Sequence, residues 1–276
     1  YLGRLPIGDL NELQSIKMDE LNKFYRTWYA PNNAVMVISG KFDKAEVLKQ
    51  IDQKFSPIAA RQVPAQTKVP VLDSSKMKQR NFLVKKGSDL AKFNVYLNGK
   101  NEQIKPELAL APYLYTMQPS GHLYQSMVET GLSTAVQSTT WLDQDFNLGM
   151  IGAIYAPNHD AKKVESALIS GVEKNQSFNE TELNRVKNLI QNQSESVLSN
   201  AAALGGRLSD YYVSYQGDWS QYFTDLDNIK KLKLTDVNQT LTQFLVPQHR
   251  ISGDIQPTPE EQKKALKQKQ ASEPAK

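Results

Sequence analysis

The sequence holds no cysteine and only three histidines, His122, His159 and His249, among 276 residues. Without cysteine there are no disulfides, no thiolate nucleophile, no iron–sulfur cluster and no zinc site that needs a thiolate. The compartment stays open, because cytosolic, periplasmic and secreted proteins all include cysteine-free chains. The histidines are far apart, and neither H-E-x-x-H nor H-x-x-E-H occurs, so local sequence offers no metal motif. No apolar run approaches the ~20 residues of a membrane-spanning helix. An excess of one charge is also missing. The 33 Lys and Arg against 29 Asp and Glu leave +4, and the basic residues form no block, which excludes a nucleic-acid footprint. Tyr1 is not an initiating Met and no signal peptide follows it, so the sequence reads as a piece of something longer.

What is present is globular. Leu21, Phe24, Tyr25 and Trp28 recur at helical spacing and predict an amphipathic helix over 19–29, ended by Pro31 and Asn32-Asn33. The run Ala34–Ile38 lacks alternation and predicts a strand buried on both faces, with Gly40 as its sharp exit. Asp43 and Glu46 form a capping-box pattern before a helix carrying Val47, Leu48, Ile51 and Phe55. Pro57, Pro64 and Pro70 then punctuate a polar, semi-extended stretch. Strand patterns follow at Asn81–Val84 and Phe93–Leu97. Pro106 predicts the first turn of a helix burying Leu110, Leu114 and Met117, and a short helix is expected over about 121–130, ending at Gly131. Ala135–Trp141 and Phe146–Tyr155 read as a hairpin turning at Asp143-Gln144-Asp145.

From 160 onward the period is helical. Asp160 caps a helix with Val164, Leu168 and Val172 inside. Asn179 and Glu182 open a long helix through Leu183, Val186, Ile190, Val197 and Leu198. Gly217 separates two helices bearing the aromatic cluster Tyr211, Tyr212, Tyr215, Trp219, Tyr222 and Phe223, for which core packing is the expected use. A last helix over about 235–245 precedes a strand around Arg250–Asp254. The stretch 256–276 has the Lys, Gln, Glu, Pro and Ala content of a tail or linker.

Part of this pattern occurs twice. Pro31 and Pro247 are 216 residues apart, and at that offset Leu13 meets Ile229, Ile16 meets Leu232, Leu21 meets Val237 and Trp28 meets Phe244. Ser39-Gly40 and Ser252-Gly253 follow at an offset of 213. A helix–Pro–strand unit recurring at about one domain length implies two related domains. The expected organisation is the C-terminal part of a first domain over 1–57, a linker over 58–78, a second domain over 79–255, and a tail or linker over 256–276. The fold class is α+β, a mixed and largely antiparallel sheet packed with helices, built by duplication.

Several stretches resemble the insulinase/pitrilysin family of zinc metallopeptidases. Tyr1-Leu-Gly-Arg-Leu-Pro-Ile-Gly8 resembles the segment after the family's distal zinc-binding Glu. Phe24-Tyr-Arg-Thr-Trp-Tyr-Ala-Pro-Asn-Asn33 resembles its helix ending in W-Y-x-P-N-N, and Val35–Phe42 its strand l-v-i-x-G-d-f. Ser120-Gly-His-Leu-Tyr-Gln-Ser-Met-Val-Glu-Thr-Gly-Leu132 is similar to S-x-R-L-y-q-x-l-r-e-x-g-L, with His122 where Arg is usual. Thr181-Glu182-Leu183 and Gly217-Asp218-Trp219 also fit, so the resemblance covers about residues 1–260. It implies homologous α+β domains, paired in halves around a chamber for peptides. The family's inverted H-x-x-E-H zinc site lies in the first domain, upstream of this sequence, so no residue here inherits a catalytic or metal-binding role. The Arg–Tyr pair that holds the substrate carbonyl has no counterpart either, since Gly149–Asp160 contains no Arg.

No catalytic residue and no metal ligand is therefore expected, and no substrate-binding residue is assigned. Glu129, seven residues after His122, is expected to share its helix face as part of a solvated surface. His159-Asp160 reads as an N-cap turn. Ser133 and Ser138 lack His and Asp partners for nucleophilic catalysis, and Gly205-Gly206 is not a phosphate loop. The resemblance implies a non-catalytic portion of a zinc metalloendopeptidase, inactive alone, forming a chamber wall. No cofactor is expected in this chain, with zinc expected in the full-length protein. The implied partners are the remaining domains of the same polypeptide or a homologous subunit, and peptide substrate; no nucleic acid and no membrane span are expected. By family analogy the location is periplasmic or secreted. The alternatives are a non-enzymatic member or partner subunit that binds peptide or another subunit, and a free-standing periplasmic binding module.

Overall fold

The computed structural model describes residues 8–65, 80–85, 90–99, 105–142, 146–261 and 263–264. The turn expected at 143–145, the stretch 66–78, residues 1–7 of the N-terminal motif and the tail from 265 lie outside the described residues. The chain divides into two compact units, Tyr1–Pro70 with Glu195–Tyr222, and Val71–Ser194 with Phe223–Lys276.

In the first unit, Asp9 accepts from two backbone N–H groups to start α1 (Leu10–Ser15). The stripe of Leu21, Phe24, Tyr25 and Trp28 lies on α2 (Met18–Trp28), and a 3₁₀ turn at Pro31–Asn33 follows. The two asparagines have separate tasks: Asn33 donates to the Trp28 carbonyl, and Asn32 exchanges two bonds with the Arg61 backbone. The Arg61 guanidinium in turn donates to Arg26 O and Tyr29 O, satisfying carbonyls left over at the end of α2. Asp43 caps α3 (Lys44–Phe55) as its spacing predicts. The strand expected at Ala34–Ile38 does not form. No strand among the described residues of this unit offers a ladder, and Val35, Met36 and Ile38 are exposed rather than buried on two faces. Gly40 does make the exit, at φ +132°. In the same unit, α7 (Ala201–Ser214) comes so close to Ser39 that a Cβ on Gly205 would lie 2.6 Å from the serine Oγ.

The second unit carries the sheet. Strands β1 (Arg80–Lys85), β2 (Ala91–Gly99), β3 (Ala135–Leu142), β4 (Phe146–Ile154) and β5 (Arg250–Gln256) lie in the order β1-β5-β2-β4-β3. Only β1 and β5 are parallel, so the sheet is mixed and largely antiparallel as expected. The expected single helix from Pro106 is a 3₁₀ turn at Pro106–Leu110 running into α4 (Ala111–Thr116). Pro112 explains the break, because it has no N–H to bond back to Leu108. The segment expected as a helix over 121–130 contains a π turn at Tyr124–Val128, with Glu129 N–H reaching Tyr124 O at 3.1 Å, and it ends at Gly131 with φ +72°. Helices α5 (Ala161–Glu173) and α6 (Glu180–Ser199) start at the caps read from sequence, and both bonds of the Asn179/Glu182 capping box are made. They are followed by α8 (Gln221–Lys231) and α9 (Leu234–Phe244). The core gathers Leu108, Leu110, Leu114, Tyr115, Leu123 and Met127 with Leu168, Leu183, Val237, Leu241 and the sheet residues Tyr96, Val136, Ile151 and Ala153.

The duplication holds in three dimensions. Helices α2 and α9 both begin and end 216 residues apart. Their C-caps share an unusual backbone, φ −89° and ψ 70° at Tyr29 against φ −87° and ψ 66° at Leu245, and both lead into a three-residue 3₁₀ turn opened by Pro. Beyond the turn the copies diverge. Ser252-Gly253 lies inside β5, whereas Ser39-Gly40 ends an unpaired run, so the two Ser-Gly pairs are not structural equivalents. Burial diverges as well. Leu21, Tyr25 and Tyr29 are 47%, 56% and 63% exposed, while their counterparts Val237, Leu241 and Leu245 are 0%, 0% and 1% exposed.

A polar ladder fills the part of the sheet beneath α5. Lys92 pairs with Asp254 at 2.5 Å and with Glu165 at 3.2 Å; Ser252 Oγ donates to Asn94 Oδ1 at 2.9 Å; Tyr96 OH donates to Glu173 Oε1 at 3.0 Å, and Arg250 pairs with the same oxygen. Burial disfavours the Lys92 ammonium, but the hydrogen bonds and charges of Asp254 and Glu165 outweigh it and hold the group above its ordinary pKa. Burial, with the Glu173 carboxylate beside it, pushes the Tyr96 phenol far up, and burial alone raises Tyr115.

Two outcomes follow from this packing. Leu241→Ala should cost about 2–5 kcal/mol in chemical denaturation, whereas Tyr25→Ala at the same repeat position should cost about 0.5 kcal/mol or less. The raised groups also set an alkaline limit. The unfolded chain loses phenolic protons near pH ~10 and the Lys92 proton near 10.5, while the folded chain keeps them, so their contribution is fully present below about pH 10 and declines above it. Denaturation midpoints measured from about pH 8 to about pH 11 should fall, and Tyr96→Phe should flatten that fall.

Candidate functional site

His122 is the most engaged of the histidines. Its Nε2 lies 2.7 Å from Glu182 Oε1, its ring stacks on Phe178 at 4.4 Å, and Tyr115 meets both rings edge-on. Glu182 is shared, because its other oxygen accepts from the Asn179 N–H at 2.8 Å. The carboxylate His122 meets is thus on α6 and not Glu129. The π turn between them carries more residues per turn than an α-helix, so a spacing of seven no longer closes two turns. A shallow cleft beside the pair is lined by Ser120, Gln125, Asn179, Glu180, Glu182 and Arg185. Ser120 Oγ and His122 Nδ1 are both buried with no hydrogen-bond partner among the described residues, and neither reaches the other. The arrangement therefore lacks the nucleophile–base bond of a hydrolytic triad. It clasps the π-turn segment to the start of α6.

The remaining candidates resolve into structure. His159 Nδ1 accepts from Ala156 N–H, and Asp160 accepts from Lys162 and Lys163 N–H as the N-cap of α5. Ser133 and Ser138 keep buried hydroxyls with no partner among the described residues. Gly205 serves the close approach of Ser39 and not a phosphate. Of the aromatic cluster, Tyr222 is buried, Tyr211 stacks on Tyr215 at 5.3 Å and meets Tyr222 edge-on, and Tyr212, Trp219 and Phe223 stay exposed. Burial raises the Tyr222 pKa against the opposing Arg207 charge. Burial accounts for Tyr222 alone of the six. Among the described residues no three His, Asp or Glu side chains come together to hold a metal, so zinc finds no fit here, and no helix is long and apolar enough to cross a membrane.

One surface went unread in the sequence. Side chains alternate along strands, and the register puts Phe82, Val84, Phe93, Val95, Leu97, Trp141, Leu148, Met150, Gly152, Ile251 and Gly253 on the sheet face away from α5. None of them belongs to the core. Phe82 and Phe93 meet edge-on at 5.1 Å over Gly253, where a Cβ would lie 2.4 Å from the Phe93 ring. The alternation Phe93-Asn-Val-Tyr-Leu97 was the available signal, but it does not say which face the helices cover.

Comparison with known proteins places this geometry. The family model of the peptidase M16 inactive domain matches residues 15–190, well over half of the chain. Over 56 residues the chain is 36% identical to the probable zinc protease PqqL of Haemophilus influenzae, a match that covers 20% of this chain and 6% of that protein. A protease from Helicobacter pylori has the same fold, with a TM-score of 0.81 at 19% identity over 91% of this chain and 62% of that one. The first half of the periplasmic protease PqqL from Escherichia coli gives 0.69 at 15% identity, over 100% of this chain and 64% of that one. The chain spans only 33% of the whole Escherichia coli protein. The mixed sheet, the duplicated helix–turn and the sequence match agree: the chain belongs to the peptidase M16 family, the insulinase/pitrilysin-type zinc proteases, and matches the model of that family's inactive domain.

Proposed function

We propose that this chain is a non-catalytic portion of a zinc-dependent metalloendopeptidase. Residues 1–57 would complete a catalytic-type domain, 58–78 would link it onward, and 79–255 would form the inactive domain that helps wall a peptide-holding chamber. The observation that carries this reading is the contrast between the two copies of one helix. Helix α9 is buried on the Pro106–Leu110 turn and on β4, where Phe244 lies 3.2 Å from the position of a Cβ on Gly149. Those covering elements precede α9 in its own domain. Helix α2 has the same length, the same cap and an equally apolar stripe, yet Leu21, Phe24 and Tyr25 are exposed. Exposed apolar side chains at helical spacing mark an absent partner. The repeat supports a partner made of the elements that precede α2 in a complete first domain, where the family's zinc site would lie. The periplasmic relative supports a periplasmic location for the whole protein.

The longer protein tests this. Alone, this chain should retain no zinc by metal analysis and hydrolyse no peptide. With the region upstream of Tyr1 restored, one zinc per chain and peptidase activity should appear, and amide exchange in α2 should slow. Phe24→Asp should leave this chain folded but abolish the activity of the longer one. One zinc held per chain by the 276-residue protein would overturn the reading. Substituted H-x-x-E-H positions upstream would replace it with that of a non-enzymatic partner subunit.

A further inference from the structure

The repeat resumes beyond the strands. In the first unit Asp43 caps α3, its carboxylate accepting from Glu46 N–H at 2.9 Å. At an offset of 215 residues, Thr258 Oγ1 accepts from Glu261 N–H at 3.3 Å, and residues 259–261 and 263–264 are helical. The same offset sets Lys49 against Lys264, Lys54 against Lys269 and Arg61 against Lys276. Arg61 has a defined seat in its unit. Its guanidinium donates to Arg26 O and Tyr29 O at the end of α2, and its backbone exchanges two bonds with the Asn32 amide.

The second unit holds the counterparts of that seat. At the helix offset of 216, Arg26 corresponds to Thr242, Tyr29 to Leu245 and Asn32 to Gln248, which carries the same amide one methylene further out. Thr242 lines a shallow groove with Lys174, Gln176, Asn238 and Gln239. Gln176 Nε2 donates to Leu245 O at 2.6 Å, which leaves that oxygen a second lone pair. No donor reaches Thr242 O among the described residues. Lys174 is the C-cap of α5 and Leu245 that of α9, so two helix C-termini meet at the groove, and their dipoles favour a cation there. Lys174 itself is exposed, so its repulsion is screened. A lysine does the same work elsewhere in this unit: Lys187 Nζ donates to Lys230 O at 3.1 Å and Leu232 O at 2.5 Å, at the end of α8.

We propose that the chain's own residues 272–276 seat in this groove, with the Lys276 ammonium on the Thr242 and Leu245 carbonyls and its backbone on the Gln248 amide. The spacing fits, because Lys276 follows Lys264 at the same separation as Arg61 follows Lys49. The seat sets the path by which a longer chain leaves the second domain. It goes beyond the non-catalytic reading and does not rest on it.

The test uses the full chain, which has no native cysteine to compete for labels. Nitroxides are placed on Thr235→Cys, an exposed position of α9, and on Ala275→Cys, whose counterpart Ala60 is exposed. Pulsed double electron–electron resonance should give one narrow distance. Lys276→Glu should widen it about twofold or more, toward the ~17 Å spread of a free ten-residue stretch. Gln248→Ala should widen it in the same direction, and Lys276→Arg should keep it narrow. A broad distribution in the parent chain, or a narrow one that survives both Lys276→Glu and Gln248→Ala, would overturn the proposal. So would a short distance in an equal mixture of the two singly labelled chains, since a second copy would then fill the groove. A longer protein without zinc would sink the proposed function and leave this seat standing.

Discussion

A sheet has two faces, and among the described residues of the second unit the helices cover only one. Which face they cover is held by a few directional bonds. Glu173 on α5 accepts from Tyr96 and pairs with Arg250, and Glu165, one side of the same helix lower down, pairs with Lys92, which also meets Asp254. Groups of this kind are costly to bury unpaired, and breaking one partner leaves the other stranded. The ladder is nearly complete, with Asn94 Nδ2 and Arg250 Nε among the few atoms left without a partner among the described residues. Turning the sheet over would leave Glu165 and Glu173 on α5 facing an apolar surface without their partners. The apolar face is therefore left outward by the same bonds that seat α5.

The duplicated helix shows the same dependence from the other side. Helices α2 and α9 reach equal length, equal cap geometry and the same Pro-opened turn from sequences that differ at most positions. Local chemistry suffices for that much: an apolar stripe, an acidic first turn and a proline that cannot continue the helix. Burial is another matter. Leu241 is enclosed because Leu108, Leu110 and β4 lie over it, and Tyr25 is open because nothing among the described residues of its unit does the same. The unpaired Ala34–Ile38 run follows the same rule, since extended backbone becomes a strand only beside another strand.

Much of the fold was legible. Asp160, Asn179 with Glu182, and Asp43 announced helix starts because side-chain capping is a contact between near neighbours. The β3–β4 hairpin was readable for the same reason. The π turn at Tyr124–Val128 was not, because nothing in its composition separates it from an α-helix; it was that turn which undid the helix face His122 and Glu129 were expected to share. Glu182, the true partner, lies 60 residues away, beyond the reach of any spacing argument. The family resemblance was legible from motif order. The uncovered sheet face was not.

By itself, then, the sequence determined the helices, their caps, the repeat and the family, all properties of residues close along the chain or of a pattern that recurs. Only the tertiary structure decided which side of β2 meets α5 and which side stays open. Alternation along a strand states that two faces differ, and nothing more. The choice belongs to Glu165 and Glu173 on a helix more than 70 residues later, and it is they that turn the lysine, arginine and tyrosine inward and leave the phenylalanines outside.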